Sequence, residues 1–298
     1  MGKRRLDTLL AERGLFSSRS RAAASVMAGE VFLQGARAGA RAETRAGERR
    51  AAKPGELVDA DTRVRVVQRA AFVSRGGVKL ANALAACGLD VSGRRALDVG
   101  ASTGGFTDCL LQRGAREVIA VDVGYGILDY RLRTDPRVSV LERTNARSLT
   151  PQALPPARAQ PAGPPDLATI DVSFISLAKV LAAVLGCLGE GYDVLALVKP
   201  QFELGRGRVG KGGVVRDAAG RREALIGAGR SALELGAAVR GLYSSGLPGP
   251  KGNRETFLWL TDPRGAGAAG AGACSGAGSN AGSRELAELE RMAGEVEP

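Results

Sequence analysis

The chain has 298 residues, with Lys+Arg 42 against Asp+Glu 31 and a formal charge of +11. A hydrophobic content of 44% supports a sizeable core and excludes wholesale disorder, and no run approaches the roughly 20 apolar residues of a membrane-spanning helix. His is 0, which removes Ser-His-Asp, Cys-His and His-ligated zinc chemistry together.

The opening MGKRRLDTLL lacks the apolar stretch of a signal peptide, so a cytoplasmic protein is expected. Residues 1–70 hold 13 Arg and 2 Lys against 8 acids, which places most of the positive charge there and points to an anionic partner, nucleic acid first. Leu6, Leu9, Leu10 and Arg13 follow helical spacing up to Gly14. Ser17 or Ser18 caps a second predicted helix that ends at Gly29 and carries Arg19 and Arg21 in its first turn. A short strand at Val31-Phe32-Leu33 and another over 57–67 complete a small basic α+β unit. The few aromatics here suit reading of a folded RNA by backbone and shape rather than base stacking. The motifs RLDTLLAERGL, SRSRA, AGEVFLQG and KPGELV resemble the S-four-type RNA-binding domain. That resemblance implies RNA contacts by Arg5, Arg19 and Arg21. Residues 36–52 lengthen a connection that is usually tight, and are expected to form a flexible basic loop.

From about residue 75 strands and helices alternate, as in a doubly wound parallel sheet. RRALDVG (94–100), then a glycine-rich turn and an amphipathic helix, form a nucleotide-binding beginning. Asp122 closes the next strand, 18 residues past Gly104, where a carboxylate can accept from both ribose hydroxyls of an adenosine. The turn reads GxxxGG rather than GxGxxG, and Asp98 precedes its first glycine. A carboxylate there suits a sulfonium or an amino group better than a diphosphate, so S-adenosylmethionine is favoured over NAD. Later strands are expected over 165–174, 193–202, 237–246 and 255–262, with a helix near 217–235. That number suits a Rossmann-like seven-stranded methyltransferase sheet, with Asp171 and Lys199 at the ends of neighbouring strands. The turn Asp171-Val172-Ser173-Phe174 has no proline, unlike the D/N-P-P-Y turn of amino methyltransferases, and is compatible with an oxygen target.

Lys79 in SRGGVKL, Asp171 in DVSF, Lys199 in LVKPQFE and Glu255 in GNRETF resemble the Lys-Asp-Lys-Glu tetrad of FtsJ-like ribose 2′-O-methyltransferases. With VSRGGVKL, LDVGASTGGFTD, TNAR, DVSFISL, VGKGGVVRD and the N-terminal unit, the chain to about residue 262 resembles the TlyA family. That resemblance implies S-adenosylmethionine-dependent 2′-O-methylation of cytidine in ribosomal RNA, 16S or 23S, on ribosomal subunits. A ribose hydroxyl is a weak acid, and a lysine amine about 3 Å away can take its proton or orient its lone pair. Lys199 is assigned that role, Lys79 is its cationic neighbour, Asp171 holds Lys199, and Glu255 holds Lys79 or the ribose. Turn chemistry and resemblance together assign the cofactor to Asp98, Gly100, Ser102, Thr103, Gly104, Phe106, Asp122 and Asn145.

Residues 206–216 form a basic glycine-rich loop in which Arg206 and Lys211 are candidate RNA contacts. The expected layout is an RNA-binding domain over 1–67, a linker over 68–74 with Phe72 as its aromatic, a methyltransferase domain over 75–264, and a tail over 265–298. That tail is of low complexity and leads to a short acidic helix without evident function. The four cysteines, Cys87, Cys109, Cys187 and Cys274, lack a CxxC pair and read as single buried thiols, so no metal is expected. A monomer is expected. The competing readings are a membrane-active haemolysin, which needs an amphipathic or apolar segment not evident here, and a non-catalytic ribosome-binding module.

Overall fold

Short apolar runs separated by turn residues build the strands of this protein, and the computed structural model describes residues 2–34, 48–67, 71–158, 160, 162–210, 212–264 and 280–297. The chain divides into two compact units, residues 1–70 and 71–298.

The first unit begins with β1 (Lys3–Arg5), α1 (Leu6–Glu12) and α2 (Arg19–Met27). It continues with β2 (Val31–Gln34), β3 (Glu48–Arg50), β4 (Leu57–Asp59) and β5 (Arg63–Val66). The Ser18 hydroxyl accepts from the Arg21 backbone N–H and starts α2. β2 is the middle strand of a three-stranded antiparallel sheet between β3 and β5, while β1 pairs with β4. Leu6, Leu10, Val31 and Leu33 form the core of this unit. Two expectations change here. The strand expected over 57–67 is broken by a turn at Ala60–Thr62 into β4 and β5. Residues 48–50 of the expected flexible loop are the strand β3, and 35–47 lie outside the described residues.

The second unit runs α3 (Arg75–Cys87), β6 (Arg95–Val99), α4 (Gly105–Gln112), β7 (Glu117–Val121), α5 (Tyr130–Arg133) and β8 (Val138–Leu141). It continues through β9 (Leu167–Ile170), α6 (Leu181–Leu185), β10 (Asp193–Val198), α7 (Pro200–Glu203) and α8 (Ala218–Glu234). β11 (Ala238–Ser244), β12 (Thr256–Thr261) and α9 (Asn280–Val296) complete it. Seven strands make one sheet in the order β11-β12-β10-β9-β6-β7-β8, with β12 antiparallel to both neighbours. β6 lies between β7 and β9, so the winding reverses there and opens a crevice at the carboxyl ends of β6 and β9. Strands buried on both faces read as continuous apolar runs, which is why LATI and DVLALV carry almost no polar residues.

The expected acidic tail helix is α9, and it is part of this core. Leu289 and Ala293 are buried, and Leu289 lies so close to Gly229 of α8 that a Cβ there would meet it at 2.5 Å. Glu297, buried just past the helix, accepts from Nε of Arg221 at 2.7 Å. Cys109 and Cys187 are buried thiols, Cys87 is half-buried, and Cys274 lies outside the described residues with the rest of 265–279.

Candidate active site

Two cavities open at the crevice and share Gly100, Ser102 and Asp171. The first, about 360 Å³, reaches Ser74, Arg75, Lys79, Phe106 and Pro248. The second, about 460 Å³, reaches Asp122, Asn145, Val172, Phe174 and Ile175.

Backbone geometry brings them together. Gly100 has φ +85, and a Cβ on it would lie 2.5 Å from the carbonyl oxygen of Asp171. Only glycine allows the turn after β6 to rest against the end of β9. Gly77 at the start of α3 and Gly105 at the start of α4 approach in the same way, a Cβ on either meeting the other's backbone at 2.8 Å. The SRGG and TGG motifs are thus the two halves of one close contact.

Asp122, at the end of β7, accepts from the Ser102 N–H through Oδ2 and from the Gly124 N–H through Oδ1, both at 2.7 Å. Each oxygen keeps a further lone pair, and the residue lines the second cavity. Asn145 lines the same cavity, its Oδ1 accepting from the Arg147 N–H. Thr103 and Phe106 line the first cavity, and Phe106 packs against Phe257 with centroids 5.7 Å apart. Gly104 starts α4 with φ +95.

Asp98 is placed differently from the expectation. It is wholly buried beneath the turn, and its two oxygens accept from the hydroxyls of Thr107 at 2.6 Å and Thr169 at 2.9 Å. Burial pushes its carboxyl up to about 6, with the nearby charge of Asp171 adding to the effect and the threonine bonds opposing it. It braces β6 against α4 and β9 and does not line either cavity.

The four candidate catalytic residues form two ion pairs. Nζ of Lys199 lies 2.6 Å from Oδ1 of Asp171 and donates to Oγ of Ser173 at 2.9 Å. Nζ of Lys79 donates to Oε2 of Glu255. Both lysines are 8% exposed and Glu255 is 2% exposed. Lys79 and Asp171 line the first cavity, which joins the two pairs at one place.

Several lining residues escaped the sequence reading. Ser173 and the SRGG start of α3 were visible as motifs, but spacing assigns them no contact. Phe174 has φ +64, is 92% exposed, and sits 5.2 Å from Phe202. Pro248 and Pro250 border the first cavity, where Nη2 of Arg75 donates to the Pro248 carbonyl.

Of the candidate RNA contacts, Arg5 and Arg19 both bond to the buried Asp7, Arg5 at 2.9 and 3.2 Å and Arg19 at 3.1 Å. Both guanidinium groups stay about half exposed, and Arg21 is exposed on α2. Arg206 begins a short helical turn over 206–208, and Lys211 lies outside the described residues.

A seven-stranded sheet with this strand order, carrying a glycine turn, an acid at the end of the next strand and two acid-paired lysines near its carboxyl edge, has the architecture of a methyltransferase. Residues 72–262 match the FtsJ-like methyltransferase family and residues 4–41 match the S4 domain. The chain is 49% identical to the "16S/23S rRNA (cytidine-2'-O)-methyltransferase TlyA" of Mycobacterium tuberculosis, over 86% of this chain and 89% of that one. It is 37% identical to "Hemolysin A" of Brachyspira hyodysenteriae, over 84% and 97%. A solved structure from Streptococcus thermophilus, described as a hemolysin, is 36% identical with a TM-score of 0.61, covering 99% of this chain and 98% of that one. The chain belongs to the TlyA family of FtsJ-like methyltransferases.

Proposed function

We propose that this protein transfers the methyl group of S-adenosylmethionine to the ribose 2′-hydroxyl of a cytidine in ribosomal RNA. The observation that carries this reading is the ion pair between the buried Lys199 and Asp171, which lines both cavities. The donor set fits the cofactor. Asp122 supplies acceptors for two ribose hydroxyls, and Val123, Ala146 and Ile175 supply apolar walls for an adenine. Gly100 lets backbone approach closely, and Asp171 offers a carboxylate to a sulfonium. When bound, the cofactor supplies an electrophilic methyl group.

The protein's own residues do the rest. Lys199 takes the 2′-OH proton or orients the oxygen lone pair, Asp171 holds Lys199 in place, and Glu255 holds Lys79 as a neighbouring cation. Arg5, Arg19 and Arg21 of the first unit, with Arg206 and Lys211 of the second, are assigned to RNA phosphates. Mass spectrometry of ribosomal RNA from a strain lacking the gene tests the assignment. Loss of methylation at a cytidine ribose is expected, and an unchanged ribose methylation pattern would overturn it. A membrane-active role finds no support in the helices, since none among the described residues is long and apolar enough to cross a bilayer.

A further inference from the structure

A lysine amine that takes a proton from a ribose hydroxyl must point at that hydroxyl. Nζ is tetrahedral and turns freely about the Cε–Nζ bond unless something holds it. The carboxylate of Asp171, 2.6 Å from Nζ, holds the position of the amine. With the hydrogen bond to Oγ of Ser173 at 2.9 Å, two of the three directions about Nζ are taken, which fixes the torsion and leaves one direction for the substrate. This neighbour follows from the sheet. β9 and β10 run parallel with Asp193 beside Leu167 through Ala196 beside Ile170, and the same register continued past the strand ends sets Lys199 beside Ser173. The next residue, Phe174, takes φ +64, uncommon for a bulky side chain, and its ring packs against Phe202 with centroids 5.2 Å apart.

We propose that Ser173 is a positioning residue for methyl transfer, its hydroxyl orienting the Lys199 amine beside Asp171, which lines both cavities. This rests on the assignment of Lys199 as the proton acceptor. In that step the 2′-oxygen lone pair forms the new C–O bond and the electron pair of the broken C–S bond stays on sulfur. The 2′-OH proton ends on Nζ, which enters the step as the neutral amine after giving up its own proton to solvent. The charged group bonded to the amine is Asp171 at the end of β9, and Glu255 before β12 bonds separately to Lys79 on α3. Ser173→Ala removes none of them.

The test uses the full-length protein and four variants, Ser173→Ala, Ser173→Thr, Lys199→Ala and Lys199→Arg. The chain has only 7 lysines, so ¹⁵N-lysine spectra of the protein without cofactor are countable, and Lys199→Ala assigns the signal. Exchange of the Lys199 Nζ hydrogens with water should be faster in Ser173→Ala and restored in Ser173→Thr, which keeps the hydroxyl. Single-turnover methyl transfer should fall about 10–100-fold in Ser173→Ala and recover in Ser173→Thr, with cofactor and RNA affinities unchanged. Unaltered exchange and turnover in Ser173→Ala would overturn the proposal, as would a loss explained by weaker cofactor binding. If Lys199→Ala itself retains transfer, the base assignment fails first. If Lys199→Ala is inactive while Ser173→Ala is normal, only the role of Ser173 falls.

Discussion

Lys199 and Glu255 each lie one residue beyond Val198–Thr256, the last pair of the β10–β12 ladder, and each bonds to a residue of another element, Asp171 and Lys79. Two lysines at this end of the sheet thus have a carboxylate apiece.

The Lys79–Glu255 pair is the more buried, with side chains 10% and 1% exposed. Glu255→Ala leaves an ammonium without a partner and should lower stability by about 3–5 kcal/mol. The double variant Lys79→Met/Glu255→Leu should recover most of that loss in urea unfolding while remaining unable to transfer methyl groups. A double variant that is no more stable than Glu255→Ala would show that the pair's surroundings, not its charges, set the cost.

Lys199→Arg should be nearly as damaging as Lys199→Ala, although the charge is kept. Guanidinium stays protonated and its planar fork needs more room than Asp171 and Ser173 leave. Loss of proton transfer costs about 10²–10⁴-fold in single-turnover rate. Near-normal turnover in the arginine variant would mean that Lys199 supplies positive charge alone.

Asp122→Ala should weaken S-adenosylmethionine binding by about 1–3 kcal/mol through lost acceptors for ribose hydroxyls. Because Asp122 also holds the N–H of Ser102, which sits at φ +50, the turn after β6 should loosen in the same variant. Calorimetry checks the first effect and amide exchange at Ser102 the second. Unchanged cofactor affinity would move the adenosine to another part of the crevice.

Asp98 predicts a pH dependence of known sign. Its carboxyl is raised from 3.8 to about 6 in the folded protein, chiefly by burial. The folded state therefore binds the extra proton, and this contribution to stability is complete below about pH 4 and lost as pH rises through about 6. Two pH units correspond to about 3 kcal/mol. Asp98→Asn lacks the titration, so between pH 4.5 and 7.5 its stability should improve relative to the parent. A gap constant over that range would show that Asp98 ionises alike in both states.

Asp7→Asn raises the positive charge of the first unit and should nonetheless weaken RNA binding. The carboxylate is held well below its usual range, first by the Arg5 hydrogen bond and also by Arg19, so it stays ionised and anchors both guanidinium groups. Freed of it, the two arginines lose their fixed spacing and must be ordered by the RNA itself. Filter binding at two salt concentrations measures the effect. Tighter binding by the variant would mean that charge count outweighs arrangement.

Much of the architecture is legible in the sequence because apolar runs such as LATI and glycine turns such as STGG are local signals. Asp98 was misplaced because position along the strand says where a residue is, not which way its side chain points, and two threonines from α4 and β9 draw it inward. The packing of α9 was illegible for a related reason. Leu286, Leu289, Ala293 and Val296 follow helical spacing, but the partner surface they meet depends on Gly229 and Arg221, more than fifty residues away. Ser173 shows the same limit at the site, where register between β9 and β10 makes a neighbour of a residue that spacing leaves anonymous.

The contact between Gly100 and the Asp171 carbonyl bears on any attempt to make the enzyme carry groups larger than methyl. That wall is main chain on both sides, with nothing to trim and no side chain to shorten. Room in the second cavity has to be cut instead from Val123, Asn145 and Ile175, and in the first from Phe106 and Pro248, which present replaceable side chains. Enlarging either cavity is thus a matter of those residues, while the seam between Gly100 and Asp171 is a boundary that substitution does not move.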